Sequence, residues 1–269
     1  FGHEMTGYPA ISNYHEFRYH PKEVITGVFD DWMYHSMGLH AWTVEIWSPQ
    51  RQAGITDYKY IEWFRDHPHE HDVQMLKWSD ETLGGMGYLP WKRFDHPQLG
   101  PVEIGGWDGA YCFRNPPPHL LEAEITPLAE WAIWHAATGP RLAERSLEVE
   151  VHGDHAEIRL TVENQGWLPT NVTEVAVKNK ICRGVRGEIA RVGDETPDTE
   201  RAAWLLAGER RIQGPQLKGY SHTPSAGFGW NADTTDDRHT FLWRVKTGAT
   251  YRLTASHERA GTVRREVTV

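Results

Sequence analysis

The chain has 269 residues, more than most single domains, so two domains with separate cores are expected. Hydrophobic residues make up 39% and charged residues 24%, which is the balance of a folded protein and excludes a disordered one. No apolar run approaches the roughly 20 residues that span a bilayer, so we expect no membrane partner. The net charge of -9 argues against a surface that binds phosphate groups, so we expect no nucleic acid partner.

The first residues, FGHEMTGY, contain neither an initiating methionine nor the basic and apolar regions of a signal peptide. We therefore expect further residues before Phe1 in the natural protein. The sequence assigns no compartment.

A short helix is predicted where Asp30 and Asp31 open the run DDWMYHSMG, because aspartate favours a first helical turn and Gly38 favours a helix end. Ala41 to Trp47 then has the β-branched and aromatic composition of a strand buried on both faces. Glu45 interrupts this run. A carboxylate buried among apolar residues is costly unless it is paired or its pKa rises, and active sites use that situation. The alternative is an edge strand on which Glu45 faces solvent.

The stretch from about 49 to 100 is polar, with candidate helices at 57–66 and 72–83, and we interpret it as a surface insertion. The tract between these helices, DHPHEHD, has three histidines that could bind a metal. It offers no defined tetrahedral geometry, so we favour a solvent-exposed tract.

Residues 102–104 are predicted to form a short strand, and the prolines at 116–118 form a rigid break before a helix. Thr126 is predicted to cap a second helical segment, with Pro127 at its first position. After Arg145 the apolar residues alternate with charged ones, which predicts a β-hairpin. The alternation recurs at Val175 and Val177 and in later segments up to residue 269, so a sandwich of about seven strands is predicted. The domain boundary is placed near residues 140–146.

The segment GVFDDWMYHSMGLHAWTVEIW resembles the late active-site segment of zinc metallocarboxypeptidases of the A and B type. That family has Asp-Trp-x-Tyr, then a glycine, then a strand of the form Phe-Thr-x-Glu. The matching residues here are Asp31, Trp32, Tyr34, Gly38, Thr43 and Glu45. GPVEIGGW and NPPPHLLEAEITPLAEWAIWHA resemble the last strand and closing helix of larger bacterial members, which carry an added C-terminal β domain.

The resemblance implies an α/β fold for residues 1–143, the C-terminal portion of a carboxypeptidase-like catalytic domain with the insertion at about 49–100. Alternation in residues 146–269 predicts an all-β domain, an immunoglobulin-like sandwich. The resemblance also implies hydrolysis of C-terminal residues from a peptide substrate.

The resemblance assigns roles to five residues. Glu45 would be the general base, and a tyrosine in the preceding loop would close over the substrate; Tyr14 is the first choice and Tyr19 the alternative. Asp30 and Thr43 would bind substrate. Asp30 precedes the Asp-Trp pair, as in B-type enzymes that select basic residues, but it equally suits a helix cap.

The family's zinc ligands cannot be placed in this chain, so no metal-binding residue is predicted here and the ligands are expected upstream of Phe1. Catalytic zinc requires three protein ligands, and the chain alone should therefore be inactive. Two alternatives remain: a non-catalytic peptidase remnant with a β-sandwich binding module, and a related zinc hydrolase that acts on another amide.

Overall fold

A computed structural model describes residues 1–195, 202–222 and 235–269. The chain forms two units: unit 1 comprises Phe1–Val28 and Thr43–Ile133, and unit 2 comprises Phe29–Trp42 and Trp134–Val269. The described part is mixed α/β and rich in sheet, with ten strands in three antiparallel sheets. None of the helices in these ranges combines the length and apolar character that crossing a membrane requires.

The α-helices of the described part are α1 (Gly2–Thr6), α2 (Phe29–Met37), α3 (Pro49–Gln52), α4 (Tyr60–Arg65), α5 (His69–Leu83), α6 (Leu121–Ala137) and α7 (Glu174–Lys178). A π-helix spans Gly109–Phe113 and a 3-10 helix spans Tyr220–His222. The predicted helices at 30–38, 57–66 and 72–83 are confirmed as α2, α4 and α5. The predicted helix start at Thr126 is wrong. Its hydroxyl donates to the carbonyl oxygen of Glu122 at 2.8 Å, inside α6, and Pro127 lies within the same helix.

Unit 1 has a small core built mainly around tryptophans. One cluster contains Trp47, Trp78 and Cys112, and a second contains Trp63 and Met75. An antiparallel hairpin, β1 (Tyr88–His96) and β2 (Gly100–Trp107), completes the unit. The strand predicted at 102–104 lies in β2. Its partner β1 was not predicted, because it falls in the stretch interpreted as a helical insertion.

The remaining strands belong to unit 2. They are β3 (Leu142–His152), β4 (His155–Asn164), β5 (Arg186–Arg191), β6 (Leu205–Ala207), β7 (Arg211–Gln213), β8 (Arg238–Lys246), β9 (Thr250–His257) and β10 (Gly261–Thr268). They form two four-stranded sheets, ordered β3-β4-β8-β6 and β10-β9-β5-β7. Every second residue of β4 and of β9 is buried, because successive side chains of a strand point to opposite faces. The apolar ones among them belong to one cluster shared by both sheets.

The strand predicted at Val175 and Val177 is wrong, because these residues lie in α7. The hydroxyl of Thr173 accepts a hydrogen bond from the backbone N–H of Ala176 and so caps the helix. In a strand, that N–H would have to bond a neighbouring strand instead. A side-chain cap here overrides the β-branched composition.

Helix α2 and its following glycine belong to unit 2. The carbonyl oxygen of Gly38 accepts from the Thr173 hydroxyl at 2.8 Å and from the Arg259 guanidinium at 3.0 Å, and Arg259 also donates to the carbonyl oxygen of Met37. A Cβ on Gly38 would lie 2.5 Å from the Cβ of Ala176, so only glycine allows this approach. The structure thus divides the chain differently from the predicted domains 1–143 and 146–269, since residues 29–42 and 134–143 lie with the β-rich unit.

Candidate functional site

The segment that carries Glu45 is irregular. Residues 41–48 form neither helix nor strand, and Thr43, Val44, Glu45 and Ile46 are all exposed. The predicted buried strand from Ala41 to Trp47 is therefore wrong. A buried strand must pair its backbone N–H and C=O groups with neighbouring strands, and the structure provides no such neighbour for this segment among the described residues.

Trp47 fixes the end of this segment within unit 1. Its backbone has φ 82°, a left-handed conformation that is uncommon for a bulky residue. Two hydrogen bonds hold it there: the backbone N–H donates to the Tyr8 hydroxyl at 2.7 Å, and the indole N–H donates to the carbonyl oxygen of Cys112 at 2.7 Å. The chain is thus anchored two residues after Glu45.

The Tyr8 hydroxyl belongs to a larger polar network. It donates to the carboxylate of Glu124, a side chain that is only 5% exposed, and Arg51 forms an ion pair with the same carboxylate. The Arg51 guanidinium also lies 4.3 Å from the centre of the Tyr8 ring, and Gln52 donates to the second carboxylate oxygen at 3.2 Å. Burial, and after it the hydrogen bond to Glu124, raises the pKa of Tyr8 to about 12. Glu124 is therefore paired, as a buried carboxylate must be.

Glu45 lines an open cavity of about 290 Å³ in unit 1. Its wall also contains the aromatic side chains of Phe17, Tyr19, Tyr60 and Phe64. Phe17 contacts Tyr60 in a stacked arrangement with ring centres 5.6 Å apart and contacts Tyr19 edge-on at 5.5 Å. Tyr60 in turn contacts Phe64 edge-on at 5.2 Å. The four rings are thus one connected cluster.

Arg65 completes the polar part of the wall. Its guanidinium donates to the backbone carbonyl oxygens of Arg18 and Tyr19, which ties the loop before α2 to the end of α4. The pKa of Tyr60 is raised by burial and then by the negative charge of Glu45, so the carboxylate acts electrostatically on the cavity wall. Glu45 forms no ion pair or hydrogen bond with a residue in the described ranges.

The structure brings together two of the predicted site residues. Glu45 and Tyr19, the alternative to Tyr14, line the cavity, whereas Tyr14, Asp30 and Thr43 are not among the described residues that line it. Asp30 lies in the first turn of α2, in unit 2, where a carboxylate interacts favourably with the helix dipole. Tyr14 is 37% exposed, and its carbonyl oxygen accepts from Arg18.

The described part of the chain does not fit a catalytic zinc ion by itself. Within residues 1–195, 202–222 and 235–269, no group of three or more His, Cys, Asp or Glu side chains is arranged to hold a metal. The histidine tract has structural partners instead: His67 stacks on Trp63 with ring centres 4.0 Å apart and bonds Asp72 at 3.0 Å, and the indole of Trp63 donates to His71. His69 is exposed, while His67 and His71 are half-buried, so the predicted exposure of the tract holds only in part.

Sequence reasoning missed most of the cavity wall. Tyr60, Ile61, Phe64 and Arg65 lie in α4, in the stretch interpreted as a surface insertion, and all four line the cavity. The run YIEWFR carried a usable signal. Trp63 is the buried residue of this helix. Tyr60 and Phe64 lie beside it on the helix surface, and their rings therefore lie at the rim of the core.

Residues 141–268 match a protein family described as "Domain of unknown function (DUF8731)". The match begins next to the first residue of β3 and ends with β10, so it covers the strands of unit 2 and a little under half of the chain. No curated protein matches this chain.

Proposed function

We propose that this chain belongs to a peptide-hydrolysing enzyme of the zinc metallocarboxypeptidase type, in which the cavity of unit 1 receives a C-terminal residue of a peptide. One observation carries the proposal: Glu45, the general base that the resemblance implies, and Tyr19, the alternative candidate for the substrate-closing tyrosine, line the same cavity.

In this proposal Glu45 accepts a proton from the water that attacks the scissile carbonyl and later delivers it to the leaving amine. Its carboxylate is exposed and unpaired among the described residues, so it is accessible to water and substrate. Tyr19, whose side chain is 67% exposed at the cavity wall, is the substrate-contacting tyrosine. The rings of Phe17, Tyr60 and Phe64 would contact the substrate side chain.

The zinc ion and its ligands would come from residues outside the described part of the chain, because that part supplies no suitable ligand group. Thr43, two residues before Glu45, would contact substrate. The eight strands described for unit 2 share one core between two antiparallel sheets, which supports an immunoglobulin-like sandwich as the finer description of this unit.

A non-catalytic protein is the second candidate. The observation that favours it is the irregular, exposed segment at residues 43–46 in place of the buried strand that the resemblance implies. In this candidate unit 2 would be a ligand-binding or partner-binding module, and unit 1 a peptidase remnant.

The test is hydrolysis by the natural protein, including whatever residues precede Phe1, supplied with zinc. Substrates are short peptides ending in Lys, Arg or Leu, the same peptides with an amidated C-terminus, and an acylated amine that contains no peptide bond. We expect release of C-terminal residues from the free-acid peptides alone. Cleavage of the acylated amine instead would indicate the related amidohydrolase, and no cleavage at all would favour the non-catalytic candidate.

The variant Glu45→Gln keeps the side-chain shape but cannot accept a proton near neutral pH. We expect turnover to fall at least the 10²-fold that general-base catalysis typically contributes. Glu62→Gln is the matched control, because Glu62 lies on α4, is exposed and is not among the described cavity residues. Retention of more than about a tenth of the turnover by Glu45→Gln would exclude the base role.

A further inference from the structure

The cavity of unit 1 combines four aromatic rings with one carboxylate, that of Glu45, and one guanidinium, that of Arg65. Aromatic faces carry partial negative charge and attract cations, most strongly where water is excluded. Glu45 adds a full negative charge to the same wall, and it has no ion-pair partner among the described residues. The part of the wall formed by Glu45 and the rings is therefore complementary to a positive charge that carries apolar groups.

Arg65 forms no ion pair with Glu45 among the described residues. Its guanidinium donates to the carbonyl oxygens of Arg18 and Tyr19 and so holds the backbone of the loop that carries Phe17 and Tyr19. Those bonds preorganise two of the rings, which lowers the entropic cost of forming the cavity around a ligand.

We propose that this cavity binds a small organic ammonium cation whose charged nitrogen carries methyl groups. The methyl groups would contact the rings of Phe17, Tyr19, Tyr60 and Phe64, and the charge would face Glu45. The volume of about 290 Å³ suits a small head group rather than a larger ligand.

Two other occupants fit the wall less well. A metal ion such as Ca²⁺ takes six to eight oxygen ligands, and the wall offers one carboxylate and two tyrosine hydroxyls. A neutral apolar ligand would cover Glu45 without pairing it, and an unpaired charge removed from water is strongly unfavourable. An ammonium cation pairs the charge and contacts the rings at once.

This inference does not depend on peptide hydrolysis, because it requires only binding by unit 1. If the protein is also the proposed peptidase, a bound cation would occupy Glu45 and inhibit hydrolysis competitively. Cation binding without hydrolysis would support this inference and exclude the proposed function. Hydrolysis without cation binding would support the proposed function and exclude this inference.

The test is calorimetric titration of the full chain with choline and with 3,3-dimethyl-1-butanol, its neutral analogue of nearly the same shape. We expect choline to bind and the neutral alcohol to bind at least about five-fold more weakly, the ratio that one cation–π contact at a partly exposed site accounts for. Equal binding of the two would mean a simple apolar cavity, and absence of choline binding would overturn the proposal outright.

Three variants locate the site. Glu45→Gln should weaken choline binding and leave binding of the neutral alcohol unchanged, and Tyr19→Leu should weaken choline binding about two- to five-fold. The Tyr19 ring is 67% exposed, and Arg65 bonds the backbone carbonyl of Tyr19, which the variant keeps. The variant therefore removes only the edge-on contact with Phe17 from the wall. Glu62→Gln removes the same charge from α4 outside the cavity; a loss of choline binding equal to that of Glu45→Gln would overturn the proposed site. Thermal melting of each variant establishes that it is folded.

Discussion

Replacing Tyr8 by phenylalanine tests whether the polar network of unit 1 anchors the segment that carries Glu45. The change removes only a hydroxyl, which donates to the Glu124 carboxylate and accepts the backbone N–H of Trp47. Phenylalanine keeps the ring on which the Arg51 guanidinium lies. The perturbation is therefore confined to two hydrogen bonds.

The expected loss follows from these two bonds. A hydrogen bond to a charged group contributes about 1.5–3 kcal/mol, and leaving a buried donor unpaired costs about 1–3 kcal/mol. Tyr8 is only half-buried, so water will replace part of both bonds, and we expect unit 1 to lose about 2–3 kcal/mol of unfolding free energy in total. For a unit of this size that corresponds to a fall in Tm of roughly 6–12 °C.

Calorimetry measures the shift, and hydrogen exchange locates it. Exchange of the Trp47 amide should accelerate about 30-fold or more, because 2 kcal/mol of protection is lost at that site. Tyr111→Phe is the control, since the Tyr111 ring is 63% exposed and its hydroxyl bonds no residue in the described ranges. If Tyr8→Phe changes stability by less than about 0.5 kcal/mol, a value typical of neutral surface substitutions, and leaves the Trp47 amide protected, the anchoring role is wrong.

The same network predicts a dependence on alkaline pH. The pKa of Tyr8 is raised from 10.0 to about 12, so the folded state favours the neutral phenol. The stabilisation is fully present below pH 10 and is lost as the pH rises through about 12. Tyr8→Phe should remove this part of the alkaline unfolding, which absorbance of tyrosinate can follow.

The next prediction concerns unit 2: Gly38→Ala should destabilise it by more than about 2 kcal/mol, because a Cβ would lie 2.5 Å from Ala176 in addition to the strain at φ 62°. Gly153→Ala separates the backbone strain from the steric clash, since Gly153 has φ 65° and nothing within 4 Å of an added Cβ. If chemical denaturation shows equal losses of stability for the two variants, a packing role for Gly38 is excluded. A further prediction concerns His67, whose pKa is raised chiefly by its hydrogen bond to Asp72. The stabilisation from this pair is present below the ordinary histidine pKa of 6.5 and is lost as the pH rises through the raised value. Asp72→Asn should lower the pKa of His67 in an NMR titration, and an unchanged value would mean that the contact does not form.

The sequence was most informative where structure depends on neighbouring residues. In β4 the residues Ala156, Ile158, Leu160 and Val162 alternate with polar ones, and this local pattern is sufficient to predict a strand with one buried face. The same holds for β8 and β9. Helix α2 was predicted from aspartates in its first turn and from Gly38 at its end, both of which act within one helical turn.

The candidate site was predictable only in part. The resemblance pointed to Glu45, and Tyr19 was its weaker tyrosine candidate; both line the cavity. Composition could not give the environment of Glu45. The run Ala41 to Trp47 has the residues of a buried strand, but a strand also needs paired neighbours, which no local pattern specifies.

The sequence by itself thus determined strands β3, β4, β8, β9 and β10 of unit 2, helix α2 and the identity of two cavity residues, because periodicity, capping and motif spacing are local properties. Only the tertiary structure decided what surrounds them. It brought Tyr8 to Glu124 across 116 positions, placed the rings of Phe17 and Tyr60 against each other, and assigned residues 29–42 to the β-rich unit. These contacts join residues far apart in the chain, and they depend on side-chain packing and hydrogen bonding that no single segment encodes.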